Sequence, residues 1–392
     1  MNKIFLLHPE PMPCIRNRAV FQRPLWFATH FDLSILSMHG LDICDEIAGK
    51  SKIVRLSFWK GRIGKLIWKV ATSLWLIGYA AFHPMRHREV IVYAFPQWGW
   101  LPLVVAKVVG YKVMVDMQHT PLYYTEYVYI NRPGLLAGMY YRALGWSMTF
   151  TAKLLLRHLD LVISMSHADD TGFSKLFMDK FHVPADKLLS IPNGIETNSM
   201  SVANLKSANG KTRIVYAGNI QFSKIDSILA TIYSFVERGV DLEFHIAGKV
   251  SRGYRDKFDL ALNKYGKFVK YHGHMDHDQL IELYKQCDFG LFMVDKRVFD
   301  HNHSHPGKIF EYMLYGCLPI ASKIESLRFV IQNGVNGVLF TSEKDLEMAL
   351  GQLIAEPDRC NRMRLAAFDA AKMFDWQKLN LQLVERMQAA SS

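Results

Sequence analysis

The sequence predicts an α/β protein of two domains, each a parallel sheet covered by helices on both faces. Three observations carry this: short apolar runs alternate with helix-periodic segments, the alternation comes in two sets, and a polar stretch, "SMSVANLKSANGK" at 199–211, separates them. Strands alternating with helices argue for parallel sheets. Two such sets argue for two Rossmann-like domains, whose ligands bind at the carboxyl ends of the strands. With 392 residues and 50% apolar composition, the chain has material for two cores.

In the first half, "KIFLLH", "FDLSILSM", "EVIVYAF", "YKVMVDM" and "LDLVISMS" read as strands. In the second half, "TRIVYAG", "LEFHIAG", "VKYHGH", "FGLFMV", "CLPIAS" and "GVLFT" keep the same rhythm. The first domain is placed at residues 1–196 and the second at 197–371, with a last helix at about 372–392 packing back on the first. The start, "MNKIFLLHPEPMP", has an apolar run of only four residues, so it reads as a buried strand and not as a secretory signal. Cys14, Cys44, Cys287, Cys317 and Cys360 are scattered, which predicts neither a disulfide framework nor a zinc site and fits a reducing cytosol.

A net charge of +11 implies acidic partners: nucleic acid, anionic lipid or phosphorylated small molecules. No recognition helix, zinc finger or RNA-binding signature is present, so nucleic acid is not expected. Instead Arg55, Lys60, Arg62, Lys65 and Lys69 are interleaved with Phe58, Trp59, Trp68 and Trp75. On a helix from about 64 to 82, Leu66, Ile67, Val70, Leu74 and Ile77 form an apolar stripe with Lys65, Lys69, Thr72 and Ser73 around it. The uncharged run from Val70 to Phe82, 13 residues, is too short to span a bilayer. The segment reads either as a helix in the membrane interface, where Trp and Lys/Arg concentrate, or as a core helix with a solvated basic edge.

Chemistry is expected at two turns. Gly218 and Asn219 end the strand "RIVYAG", and Lys224 stands just before a helix; a strand, a glycine turn and a helix N-terminus make a phosphate cradle. "HPGKIFEYM" lies at the corresponding end of the later strand "FGLFMV". On a helix starting near Gly307, Ile309, Phe310, Met313, Leu314 and Cys317 face a core, while Lys308, Glu311, Tyr312 and Tyr315 gather opposite. Glu311, placed in the first turn, either complements the helix dipole or accepts hydrogen bonds from a ribose diol. His301, His303 and His305 would project from one side of an extended segment, as metal ligands do, but loop histidines more often only form hydrogen bonds. Asp169 and Asp170 in "SHADD" offer ligands or bases, but read more simply as first-turn acids behind a capping serine.

"IPNGIE", "VYAGNIQFSK", "FHIAGK", "KYHGHMDHDQLIELYKQCDFGLFMV", "HPGKIFEYMLYGCLPIAS" and "NGVNGVLF" occur in that order over residues 188–345. This series closely resembles the C-terminal donor domain of GT-B glycosyltransferases, in particular glycosyltransferase family 4 (group 1). The resemblance implies two Rossmann-like domains with a cleft between them. It also implies roles for individual residues. Glu311 matches the second glutamate of the E-x7-E signature, which binds the nucleotide ribose, and Lys224 matches the lysine that holds the donor diphosphate. Gly307, Lys308 and Ile309 match the loop and helix start that meet the donor. "VDMQHT" resembles the strand end that places a histidine beside the donor sugar, which nominates His119. Two positions depart from the pattern: His303 stands where the first signature glutamate would fall, and Asn219 where an arginine often precedes the lysine.

The expected function is therefore a retaining sugar transfer from a UDP- or GDP-sugar to a glycan acceptor held by the first half. No metal or other cofactor is implied. The basic, Trp-rich segment suggests a lipid-linked acceptor and an anionic membrane surface, with Lys60, Arg62, Lys65, Trp68 and Lys69 as contacts. A peripheral position on the inner face of the membrane, in bacterial surface-polysaccharide or glycolipid assembly, is the expected setting. The rival readings are a nucleotide-sugar epimerase and a non-catalytic nucleotide-sugar-binding protein.

Overall fold

The computed structural model describes residues 3–12, 18–38, 41–57, 61–95, 100–123, 126, 135–167, 171–197, 210–220, 225–250, 254–294, 299–303 and 305–390. The chain divides into two compact units, Met1–Gly194 with Trp376–Ser392, and Ile195–Asp375.

The first unit runs β1 (Lys3–Leu7), α1 (Ala19–His30), β2 (Asp32–Ser37), α2 (Asp45–Ala48), β3 (Lys52–Arg55), α3 (Gly61–Phe82), β4 (Ile91–Ala94), α4 (Leu101–Val109), β5 (Lys112–Met117), α5 (Leu135–Leu155), β6 (Leu161–Ser164), α6 (Thr171–Lys175) and β7 (Leu188–Ser190). Its strands form one parallel sheet in the order β3-β2-β1-β4-β5-β6-β7. The second unit runs β8 (Thr212–Ala217), α7 (Ile225–Glu237), β9 (Leu242–Ala247), α8 (Arg255–Tyr265), β10 (Val269–Gly273), α9 (His277–Gln286), β11 (Phe289–Phe292), α10 (Phe299–His303), α11 (Gly307–Leu314), β12 (Leu318–Ser322), β13 (Val338–Phe340), α12 (Glu343–Ala355) and α13 (Pro357–Ala371). Its sheet is also parallel, in the order β10-β9-β8-β11-β12-β13. The chain then returns as α14 (Trp376–Ala389), whose Trp376, Leu379, Leu383 and Met387 enter the core of the first unit beside Phe21 and Phe27.

Both sheets have the burial their sequences require. β4 and β11 are buried along their whole length, as parallel strands covered by helices on both faces must be. All six strands read in the second half are present, as are all five read in the first, where the sheet has seven. β3 ("KIVR") and β7 ("LLS") escaped the sequence reading because both are short edge strands, and β3 is flanked by the charges typical of an edge. Cys287, Cys317 and Cys360 are buried and in no disulfide, but Cys44 is disulfide-bonded, a pairing that the spacing of the cysteines did not suggest.

The largest departure concerns α3. The helix begins at Gly61 and buries Trp68, Thr72, Ser73, Leu76 and Ala80, while the apolar stripe Leu66, Val70, Leu74 and Ile77 is exposed. Trp75 and Tyr79 set their rings edge-on to Phe5 of β1, and the Tyr111 hydroxyl donates to the Leu76 carbonyl. The reading of this stripe as core is thereby corrected: the flank with the hydroxyls faces the sheet. Among the described residues no helix is long and apolar enough to cross a membrane.

Candidate active site

In the second sheet the strand order reverses between β8 and β11, which is where an open parallel sheet takes its ligand. The turn after β8 and the helix α11 meet at this point. The Lys308 ammonium donates to the Ala217 carbonyl at 2.6 Å and stands 5.7 Å from the centres of both the Tyr216 and Phe292 rings. Gly218 has φ of 141°, and a Cβ on it would collide with the Lys308 ammonium. Gly248, φ 143°, lies so close to the Gly218 carbonyl that a side chain there would displace the turn. The left-handed φ calls for glycine at both positions, and at Gly248 the Gly218 backbone also leaves no space for a Cβ. Tyr216 closes the turn by donating to the Asn219 carbonyl at 3.0 Å, and burial pushes its phenol far above its usual range.

Glu311 is the fifth residue of α11, and the first turn holds no acidic residue. The dipole reading of Glu311 is therefore corrected, because that effect fades beyond the first turn. The carboxylate sits in a pocket of rings: His277 Nδ1 lies 3.8 Å from its Oε1, and the Tyr284 hydroxyl hydrogen-bonds to it. Burial, the neighbouring Tyr312 and this carboxylate all raise Tyr284 well above its usual range. Burial, followed by the Glu311 and Glu196 carboxylates, raises Tyr315 to about 12.

Sequence periodicity placed Tyr312 and Tyr315 on the open face of α11, yet both are buried. Tyr312 reaches under the sheet, where its hydroxyl accepts from the Ala217 N–H and donates to the Leu291 carbonyl. Its ring fills the space over Gly290 that a Cβ would occupy. One phenol thereby ties α11 to both strands of the switch point. Gly316, φ 75°, then ends the helix and Cys317 leads into β12.

The other nominated residues fall as follows. Gly307 and Ile309 occupy the first turn of α11, and Ile309 is core. His303 ends α10 and stacks on Phe299, ring centres 4.3 Å apart. Because Phe299–His303 is helical, His301 and His303 do not share a side as they would in an extended segment. Among the described residues no group of three or more His, Cys, Asp or Glu side chains could hold a metal. His119 lies two residues past β5 in the first unit and stacks on Tyr123 at 4.2 Å. Lys224, Lys60, Asp169 and Asp170 lie outside the described residues, and Arg62 falls in the first turn of α3. Lys65 pairs with Glu10, and Lys69 is half-buried, with its pKa lowered by burial and by Lys65. Trp68 is corrected as a membrane or acceptor contact: it is 2% exposed and its indole donates to the Leu36 carbonyl.

His277 and Tyr284 were missed by the sequence reading. Their signal was "DHDQ": Asp276 and Gln279 form a reciprocal capping box that fixes the start of α9 and sets His277 at its first position. His8 was missed as well. It directly follows β1 at the switch point of the first sheet, β1/β4, against Phe95 and with Nδ1 3.0 Å from the Glu10 carbonyl.

Burial pushes the His8 pKa down to about 4, against the opposing pull of Glu10. Unfolded histidine titrates near 6.5, so the unfolded chain binds the extra proton between these values. The stability this group contributes is complete above pH 6.5 and is withdrawn as pH falls to about 4, by about 3 kcal/mol. His245, lowered to about 4 by burial and then by His272, acts in the same direction. Melting temperature should accordingly fall steeply below pH 6.5, and more gently in His8→Asn; equal slopes would refute the assignment to His8.

Residues 211–356 match the model of the family "Glycosyl transferases group 1". No curated protein matches the chain by sequence. Among solved structures, HepE of Anabaena in complex with UDP and glucose superposes with a TM-score of 0.66 at 16% identity, covering 99% of this chain and 100% of that one. Sucrose-phosphate synthase of Thermosynechococcus elongatus gives 0.71 at 15% identity over the full length of both chains. WaaB, a lipopolysaccharide outer core galactosyltransferase, gives 0.66 at 12% identity over 99% of each. At such identities the likeness shows the fold, two parallel sheets in the GT-B arrangement, in agreement with the strand orders above. Residues 211–356 thus match the group 1 glycosyl transferase model, and the chain as a whole has the GT-B fold.

Proposed function

We propose that the protein transfers a sugar, with retention of configuration, from a nucleotide diphosphate donor to a lipid-linked glycan acceptor at the inner face of a bacterial membrane, in surface-polysaccharide or glycolipid assembly. The observation that carries the donor half is the seat of Lys308 on the Ala217–Gly218 turn, at the switch point and three residues before Glu311. Glu311 accepts from the ribose diol, held in place by Tyr284 and His277. Lys308, the first N–H groups of α11 and Lys224 stabilise the diphosphate as the anomeric C–O bond breaks. An acceptor hydroxyl takes its place and gives its proton to the departing phosphate. His119 is the residue that the family resemblance nominates for the donor sugar, and Gly307, Ile309, Gly218, Asn219 and His303 complete the donor contacts. The reading calls on no metal and no other cofactor.

The UDP and UDP-glucose complexes of HepE favour a donor of this class, and the lipopolysaccharide enzyme WaaB favours an envelope glycan as acceptor. The acceptor half also draws on the basic, acid-free α3. Thermal shift against UDP- and GDP-sugars tests the donor. A true donor at 100 times its Kd adds about 2.7 kcal/mol, and Glu311→Ala should abolish that gain. No shift with any nucleotide sugar would overturn the reading, and conversion of donor without acceptor would assign an epimerase instead.

A further inference from the structure

The outer face of the first unit carries more than the α3 stripe. The connections β3→β4, β4→β5 and β5→β6 all advance in the same direction across the sheet, so right-handed crossovers place α3, α4 and α5 on one face of it. Among the described residues, most exposed large apolar side chains lie on these three helices: beside Leu66 and Leu74 stand Val108 at 81%, Leu136 at 81%, Trp146 at 72% and Phe150 at 54% exposure. An apolar face of this extent on a folded unit is covered by something.

Charge identifies the cover. The three helices, "GRIGKLIWKVATSLWLIGYAAF", "LPLVVAKVV" and "LLAGMYYRALGWSMTFTAKLL", contain no aspartate or glutamate, so every charged side chain on them is positive. On α5, Leu136, Met139, Trp146 and Phe150 fall within one arc, with Arg142 and Lys153 along its border. Arg86 and Arg88 are exposed just beyond α3. A second copy is disfavoured, because a two-fold contact through this face would set positive charge against positive charge. Lys65 is paired with Glu10 and Lys107 with Asp160, but Arg142 and Lys153 border the α5 arc, and an apolar surface with such cations and an exposed tryptophan is complementary to the headgroup and acyl zone of an anionic bilayer.

We propose that this three-helix face is embedded in the membrane by its apolar side chains, so that attachment depends on insertion and not on charge alone. The inference rests on the membrane setting proposed above and deepens it. Because crossover helices run antiparallel to the strands, the N-terminal ends of α3, α4 and α5 lie at the carboxyl edge of the sheet, where His8 and His119 stand. A lipid-linked acceptor therefore reaches the strand ends while its tail stays in the bilayer.

Co-sedimentation with vesicles of phosphatidylcholine and phosphatidylglycerol tests this, at low salt and at about 0.5 M salt, where charge attraction is screened within a few ångströms. Wild type should bind at low salt and stay largely bound at high salt. The triple variant Leu136→Ser, Trp146→Ser, Phe150→Ser should lose vesicle affinity by about tenfold or more and keep its donor-induced thermal shift. Full release of wild type by salt would overturn insertion while leaving the peripheral setting standing. Undiminished binding of the triple variant would overturn the role of α5. Self-association that the triple variant abolishes, with no vesicle binding, would assign the face to a second copy and overturn both.

Discussion

Lys308→Ala is expected to lower turnover by about 100- to 1,000-fold and leave the fold intact. The ammonium is anchored to a main-chain carbonyl between two aromatic rings, so it is already in place when charge develops on the leaving diphosphate. An interaction realised mainly in the transition state lowers kcat with little change in KM, and steady-state kinetics with the donor identified by thermal shift would show that division. A rise in KM alone would assign Lys308 to ground-state binding. Lys308→Arg should not rescue, because a branched, planar guanidinium does not reproduce the point contact that the ammonium makes with the Ala217 carbonyl. Lys224→Ala is expected to fall by a comparable factor, about 2 to 4 kcal/mol at the transition state. Near wild-type turnover in both variants would remove the electrostatic mechanism.

The largest stability effect is expected at Asp116. This carboxylate, fully buried at the end of β5, pairs with Arg23 of α1, accepts from the Tyr93 hydroxyl at 2.8 Å and accepts from the Gln118 amide at 2.7 Å. Arg23 is 1% exposed, and burial lowers its pKa. Removing one partner of such a pair strands the other charge in the core. Asp116→Ala should therefore cost about 3 to 5 kcal/mol in urea unfolding. Removing both partners together, Arg23→Met with Asp116→Leu, should recover most of that loss, since an apolar replacement of similar volume carries no desolvation penalty. A double variant no more stable than Asp116→Ala would show that the pair contributes more than charge compensation. The pair also joins α1 to the strand that leads into His119, so activity should fall with Asp116→Ala even where the protein remains folded.

The turns of the candidate site were legible from local pattern. Gly218 and Lys308 were named from a glycine turn and a helix start at the ends of two strands, and these are features of a few consecutive residues. Their meeting depends on β8 lying beside β11, a pairing between segments more than 70 residues apart. His277 and Tyr284 were not legible, because they reach Glu311 from a helix whose position is set by the sheet. Tyr312 was assigned to an open face because helical periodicity ranks faces by average polarity, and a tyrosine can bury its ring while its hydroxyl bonds to the backbone.

The sequence by itself determined the α/β class, the two parallel sheets and the strand-end turns where chemistry belongs. Periods of two and 3.6 residues and the glycines that permit tight turns are properties of neighbouring residues, and they need no knowledge of the rest of the chain. Only the tertiary structure decided which side of α3 faces inward. That helix is apolar around most of its circumference, so pattern could not choose between Trp68 and Leu74 as core. The sheet chose, by presenting Phe5 and the Leu36 carbonyl to the flank that bears Trp68, and so left the more continuous apolar stripe exposed.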